Sequence, residues 1–199
     1  MAEQRYPRIK RRIDLVVGLV LLVISLPVQA VVALSVAVTM GLPVLFAQER
    51  TGLNGRPFVL LKFRSMRPGG GADGVRLTRL GQFLRRTSLD ELPSLLNVVR
   101  GELSLVGPRP LLPEYLPLYD ATQRRRHEVR PGITGLAQVS GRNLLSWEEQ
   151  FRLDVQYVDG MSARLDAWIV WRTVGKVLTQ HGISAVGEPT RARFAGRDD

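Results

Sequence analysis

Residues 15–38 read LVVGLVLLVISLPVQAVVALSVAV, and this stretch decides the class of fold. Two dozen residues without a charge, wound as one helix, extend about 36 Å, enough to cross a hydrocarbon core of about 30 Å. A secretory signal would carry a shorter apolar region followed by a small-residue cleavage site. Here Gly41-Leu42-Pro43-Val44 follows instead, so the segment reads as a retained membrane element. Pro27 lies at its middle. Proline lacks the backbone donor and crowds the preceding turn, which predicts a kink near Leu26–Pro27. Ser25 and Gln29 beside the bend then need partners, such as the carbonyls that proline frees.

The flanks set the topology. Arg5, Arg8, Lys10, Arg11 and Arg12 precede the segment. Arg50, Arg56, Lys62, Arg64 and Arg67 follow it, opposed only by Glu49. Basic flanks stay on the cytoplasmic side. Both flanks are basic, so a re-entrant helix that bends and returns through one leaflet is expected. A straight span, the alternative, would export one of them.

The whole chain agrees with an anionic partner. Lys and Arg number 28 against 18 Asp and Glu, a net charge of +10 over 199 residues. Nucleic acid, anionic lipid and phosphorylated substrates all fit that balance. The apolar segment and the lack of a base-stacking aromatic pattern exclude nucleic acid. The length suits one domain with an appendage. Residues 1–40 form the basic N-terminus and membrane helix, 41–185 a catalytic domain on the membrane surface, and 186–199 a frayed tail. No cysteine is present, which excludes disulfides, thiolate nucleophiles and cysteine-bound metal. His127 and His181 belong to no ligand motif, so any metal is a hard cation on carboxylates and phosphates.

Chemistry concentrates in Thr87–Pro110, TSLDELPSLLNVVRGELSLVGPRP. Asp90 and Glu91 are adjacent, Arg85 and Arg86 lie just upstream, and Arg109 sits between two prolines. One carboxylate can attack phosphorus, the other can hold Mg2+, and guanidinium forks can grip phosphate oxygens. A plain structural reading stands beside this one. Ser88 and Glu91 have the spacing of a capping box, and Asp90 then favours the positive end of the helix. The two are compatible, because a helix start also attracts phosphate.

Around this stretch the pattern is mixed. Pro43–Gln48 and Phe58–Phe63 read as a hairpin across the Thr51–Gly55 turn. The second strand ends on two cations, Lys62 and Arg64. Pro68–Gly74 is a loop. Leu77–Arg86 is an amphipathic helix, packed on the core or lying in the membrane surface. Leu111–Tyr119 is apolar with two prolines, and Arg124–Arg126 is a basic run. Arg130–Asn143, RPGITGLAQVSGRN, offers Gln138, Arg142 and Asn143 from a glycine-rich segment that is either a binding loop or a structural one. Ser146–Tyr157 and Met161–Gln180 are helices. Trp168 with Arg164, Arg172 and Lys176 suits a membrane interface, and a core helix equally. The expected fold is mainly α with a small β-hairpin element, an α+β arrangement. A re-entrant membrane helix and membrane-surface amphipathic helices complete it.

Four motifs in order, Lys62-Phe63-Arg64-Ser65-Met66, Ser88-Leu89-Asp90-Glu91-Leu92-Pro93, Ser104-Leu105-Val106-Gly107-Pro108-Arg109-Pro110 and Pro131-Gly132-Ile133-Thr134-Gly135 through Gly141-Arg142-Asn143, resemble the bacterial sugar transferase family, the small monotopic phosphoglycosyl transferases. The likeness runs from the basic N-terminus to about Gly182. It implies an enzyme on the cytoplasmic face of the bacterial inner membrane, among its lipids. Such an enzyme moves a sugar 1-phosphate from a UDP-sugar donor to a polyprenol phosphate acceptor, releases UMP, and uses Mg2+. Carried over, Asp90 is the nucleophile that holds the phosphosugar covalently and Glu91 the metal ligand. Arg85, Arg109 and Arg142 fall where the family handles phosphate or nucleotide. Lys62, Arg64 and Gln138 join the expected substrate-binding set. One departure is the order Ser25-Leu26-Pro27, where relatives often place serine directly before the proline. Nothing resembling additional N-terminal helices precedes the membrane segment, so the minimal form of the family is expected. A membrane-associated phosphohydrolase, or a non-catalytic binder of anionic lipid, is the alternative. The oligomeric state is left open, a homodimer among the options.

Overall fold

The first helix, α1 (Tyr6–Met40), runs through Pro27. Ser25 Oγ donates to the Leu22 carbonyl at 3.0 Å and Gln29 Nε2 donates to Ser25 Oγ at 2.9 Å, so the polar groups around the proline are answered inside the helix. The computed structural model describes residues 6–70, 73–141, 144–179 and 193–196. In α1 only Lys10, Asp14, Gly18, Val32 and Val36 are buried. Residues three and four apart share one helix face, so the buried residues near each end lie on one stripe, which Leu22, Ser25 and Gln29, half-buried, continue through the middle. Leu19, Ile24 and Val31 in the middle are exposed.

The two ends of this stripe are held differently. At the N-terminal end the contacts are polar. Lys10 Nζ lies 2.7 Å from Asp166 Oδ2, and Asp14 accepts from Ser104 Oγ at 2.7 Å and from the Leu105 amide at 3.1 Å. Gly18 lets α1 approach closely, since a Cβ there would sit 2.9 Å from Val98 Cγ1. At the other end the contacts are apolar: Val32 and Val36 pack with Phe63 and Leu84.

A hairpin follows, β1 (Leu45–Thr51) antiparallel to β2 (Pro57–Phe63), with Leu45 opposite Phe63 and Thr51 opposite Pro57. The hairpin expected from the sequence forms, with its first strand running three residues further. Asn54 takes a left-handed conformation at the tip, φ 54°, which asparagine tolerates better than most residues. A short helix α2 (Asp73–Arg76) leads to α3 (Arg79–Thr87). Thr78 caps α3 by accepting from the Gly81 amide at 2.9 Å. Leu84 is buried while Phe83 is exposed, so α3 combines a core-packed face with an outward aromatic.

The dyad stretch is not an α-helix start. Ser88 has φ 58°, left-handed, and makes no side-chain cap; Leu89–Ser94 then turns as a 3-10 helix before α4 (Leu95–Arg100). The capping-box reading of Ser88 and Glu91 therefore fails, because a left-handed Ser88 does not present its hydroxyl to the following amides.

A second, unexpected sheet pairs β3 (Ser104–Val106) in parallel with β4 (Gly132–Thr134). Between them lie a 3-10 segment Pro113–Leu118, the helix α5 (Ala121–Arg124) and the turn Arg125–His127. The paired strands carry Gly107 and Gly132 together. A Cβ on Gly132 would lie 2.1 Å from the Gly107 amide nitrogen, so no side chain fits between these backbones. Then come α6 (Leu136–Ser140), α7 (Trp147–Gly160) and α8 (Ala163–Thr179). Val106, Val139, Leu153, Tyr157 and Ile169 make one core. On α8, Ile169 is buried while Trp171 is 68 % exposed, so this helix too serves the core with one face and presents aromatics with another.

Tyr115, Tyr119, Phe151 and Phe194 form a further cluster with Trp147. Of the expected tail, residues 193–196 are described, and there Phe194 is 8 % exposed. Burial of one aromatic ring offsets the entropy of ordering the short segment around it.

Candidate active site

Segments far apart in sequence meet at one small cleft, with room for about 30 Å³. β2 supplies Lys62, two residues from the buried Leu60 and so on the same face of the strand. The 3-10 turn supplies Glu91 and Ser94. The segment after β3 supplies Arg109 and Pro110. Lys62 Nζ is 2.5 Å from Glu91 Oε1, and Arg109 Nη1 is 3.6 Å from the same oxygen. Ser94 Oγ donates to the Glu91 carbonyl at 2.6 Å, which pins the dyad turn. The Arg109 side chain is 47 % exposed, so its guanidinium faces the open part of the cleft.

Asp90 is buried, 8 % exposed, and does not itself line the cleft. Burial, then the neighbouring charge of Glu91, pushes its carboxyl up to about 6; Lys62, Arg85 and Arg109 oppose the rise. At neutral pH it is ionised, yet more basic than an ordinary aspartate. Arg85 is fixed by a 2.9 Å bond from Nε to Ser65 Oγ.

Sequence reasoning missed Arg50. It lines the cleft, donates to Gln48 Oε1 at 2.6 Å, and is pushed down to about 10 by burial and then by the like charge of Arg109. In the sequence it counts only as one more flank charge, because nothing local shows that β1 carries it beside Arg109.

Arg64 is not brought to the cleft. Its guanidinium donates to the Met40, Gly41 and Leu42 carbonyls at the end of α1. A helix C-terminus leaves carbonyls unpaired and carries partial negative charge, so a buried arginine serves it well. Gln138 on α6 stands apart from the cleft lining as well. Both of its amide heavy atoms are buried without a partner among the described residues. Arg142 lies outside the described residues.

The donor set can be tested for Mg2+. No group of three or more His, Asp or Glu gathers among the described residues. An ion would rest on one or two carboxylates plus oxygens of a bound phosphate, which is how Mg2+ is commonly held. Glu91, 21 % exposed at its side chain and facing the cleft, with Asp90 beside it, fits that pattern.

Residues 5–180 match the family described as bacterial sugar transferase. This chain belongs to the bacterial sugar transferase family. It is 52 % identical to the uncharacterized sugar transferase EpsL of Bacillus subtilis (strain 168), over 96 % of this chain and 98 % of that one. It is 40 % identical to the UDP-galactose-lipid carrier transferase of Erwinia amylovora, over 87 % of this chain and 41 % of that protein. It is 39 % identical to the UDP-glucose:undecaprenyl-phosphate glucose-1-phosphate transferase of Klebsiella pneumoniae, over 84 % and 39 % respectively. This sugar transferase thus spans about two fifths of the length of the last two. The family match covers the whole cleft just described, from Arg50 to Ile133.

Proposed function

We propose that this sugar transferase moves a sugar 1-phosphate from a UDP-sugar to a polyprenol phosphate at the membrane surface. The observation that carries the reading is the convergence of the Asp90–Glu91 pair with Lys62 and Arg109. A diphosphate is anionic, so a carboxylate attacking it needs cations already in place. The names of relatives point to UDP-galactose or UDP-glucose as donor and undecaprenyl phosphate as acceptor.

The chemistry runs in two displacements. An Asp90 oxygen attacks the phosphorus that bears the sugar. The pyrophosphate P–O bond breaks, and UMP leaves with the bonding pair. An acyl phosphate now joins Asp90 to the phosphosugar. A phosphate oxygen of the polyprenol phosphate attacks the same phosphorus, forms the lipid diphosphate sugar and returns Asp90 as a carboxylate. Lys62 and Arg109 hold the phosphate oxygens, Arg109 as a planar fork and Lys62 as a point charge. Arg85 and Arg50 add positive field around them. Mg2+ held by Glu91 supplies further neutralisation of phosphate charge when it is bound.

The docking of α1 supports a re-entrant, same-side topology. Lys10 and Asp14 near one end, and Val32 and Val36 near the other, all rest on the one catalytic domain. A helix that spans the bilayer would separate its ends by the hydrocarbon core of about 30 Å, and one domain cannot hold both. The exposed apolar face of α1, with Leu19, Ile24 and Val31, then faces lipid, and the basic flanks assign the cytoplasmic face.

Purified protein in nanodiscs, undecaprenyl phosphate and a panel containing UDP-glucose, UDP-galactose and their N-acetyl forms test the reading. UMP should appear in step with a lipid-linked diphosphate sugar. UMP with free sugar phosphate and no lipid product means a hydrolase. No turnover of any donor overturns the proposal.

A further inference from the structure

Phe194 lies beyond residue 180, where the family match ends. Its ring is 5.0 Å from that of Phe151, 5.6 Å from Trp147, 5.8 Å from Tyr115 and 5.9 Å from Tyr119, on which it stacks. This aromatic cluster borders a charge. The Arg126 guanidinium lies 5.5 Å from the centre of the Phe151 ring and 5.8 Å from that of Tyr119. Arg126 and its partner Asp154 are each 1 % exposed at the side chain. Nη2 and Nε of Arg126 donate to Asp154 Oδ2 at 2.7 and 3.1 Å, and Nη1 donates to the Tyr119 hydroxyl at 3.3 Å. Nη2 also donates to the main-chain carbonyl of Arg109, at 2.8 Å. Arg109 is the residue whose side chain reaches Glu91.

We infer that Phe194 is a positioning residue for the transferase site, acting through Tyr119, Phe151 and Arg126 on the backbone of Arg109. The inference rests on the reading of Arg109 as a contact to donor phosphate. Removing the Phe194 ring leaves a void, and the rings around it relax only in part. Arg126 stays with Asp154, since separating a buried ion pair is costly. The displacement therefore falls on the two neutral links, the bond to the Tyr119 hydroxyl, whose ring moves with the void, and the bond to the Arg109 carbonyl. A guanidinium moved by a fraction of an ångström serves the transition state less well.

The test is a double-mutant cycle on the full chain in nanodiscs, with undecaprenyl phosphate and whichever UDP-sugar the panel above turns over. Phe194→Ala should lower kcat/KM about tenfold, the scale on which such misplacements act. It should keep a cooperative melt, and Phe194→Leu should recover most of the loss. In the Arg109→Ala background, Phe194→Ala should cost nothing further. Losses that multiply mean that Phe194 acts by general stability, and the inference is wrong while the reading of Arg109 stands. An unaffected Phe194→Ala is equally fatal to it. An Arg109→Ala enzyme with full activity, or a panel with no turnover, overturns the reading of the site and the inference with it. If Phe194→Ala does not fold, the same cycle with Phe194→Val, which leaves a smaller void, decides by the same comparison.

Discussion

Lys62 Nζ and Arg109 Nη1 share one oxygen of Glu91, at 2.5 and 3.6 Å. Two cations on a single carboxylate oxygen compete with any metal that Glu91 holds. Lys62→Met should therefore lower the Mg2+ concentration for half-maximal rate several-fold, even as the rate itself falls, because the competing ammonium is gone. Glu91→Gln should raise that concentration by about tenfold or more, the usual scale for disturbed metal sites. Titrating Mg2+ against UMP release reads both. If neither midpoint moves, Glu91 is not a metal ligand.

Asp90→Asn should abolish turnover, since an amide is not a nucleophile toward phosphorus. It should also stabilise the protein at high pH. The folded-state carboxyl is raised from 3.8 to about 6, so the native state holds the proton more strongly than the unfolded chain. The contribution of Asp90 to stability is then fullest below about 3.8 and is lost as pH rises through about 6. Above that, the buried anion costs on the order of 3 kcal/mol. In EDTA, the melting temperature of Asp90→Asn should exceed that of the parent at pH 8 and approach it at pH 4. An advantage that does not grow with pH would contradict the burial argument.

The topology is testable by labelling, because the chain has no cysteine of its own. Arg8 near the start of α1 and Asn54 at the hairpin tip are both exposed. Single cysteines at each should resist a membrane-impermeant thiol reagent in intact spheroplasts and react once the membrane is opened. Labelling at position 8 alone before lysis means that α1 spans. Pro27→Ala should shift part of the population toward that state and lower activity in proportion.

Gly18→Ala should weaken the docking of α1 on α4. Its new methyl would meet Val98 Cγ1 at 2.9 Å, and overpacking of this kind costs about 1–3 kcal/mol. α4 continues directly from the dyad turn, so activity should fall with stability. Gly175→Ala on α8 is the matched control. Nothing lies within 4 Å of its Cβ position, and alanine should stabilise the helix by up to about 1 kcal/mol. Melting curves of the two variants should move in opposite directions. A Gly18→Ala protein as stable as its parent removes the close-approach account of α1.

The sequence alone was enough for the features that depend on near neighbours. An unbroken apolar run marks α1, two short apolar runs around the Thr51–Gly55 turn mark the β1–β2 hairpin, and helical spacing marks α3, α7 and α8. Adjacent carboxylates among arginines single out Asp90 and Glu91 as the candidate site, and the fold puts Glu91 beside Lys62 and Arg109 in the cleft. These signals are local, so chain order preserves them. Tertiary structure decided the rest. Three-residue strands such as β3 and β4 carry no period, and their parallel pairing joins residues far apart in sequence. All arginines look alike in a sequence with a charge excess of ten. Only the fold sends Arg64 to the end of α1, Arg50 into the cleft and Arg126 to the carbonyl of Arg109. An arginine's role is set by the acceptors around it, and these come from segments that only folding brings together. The same holds for Phe194, which stands among polar residues in the sequence and is buried only because four other rings surround it.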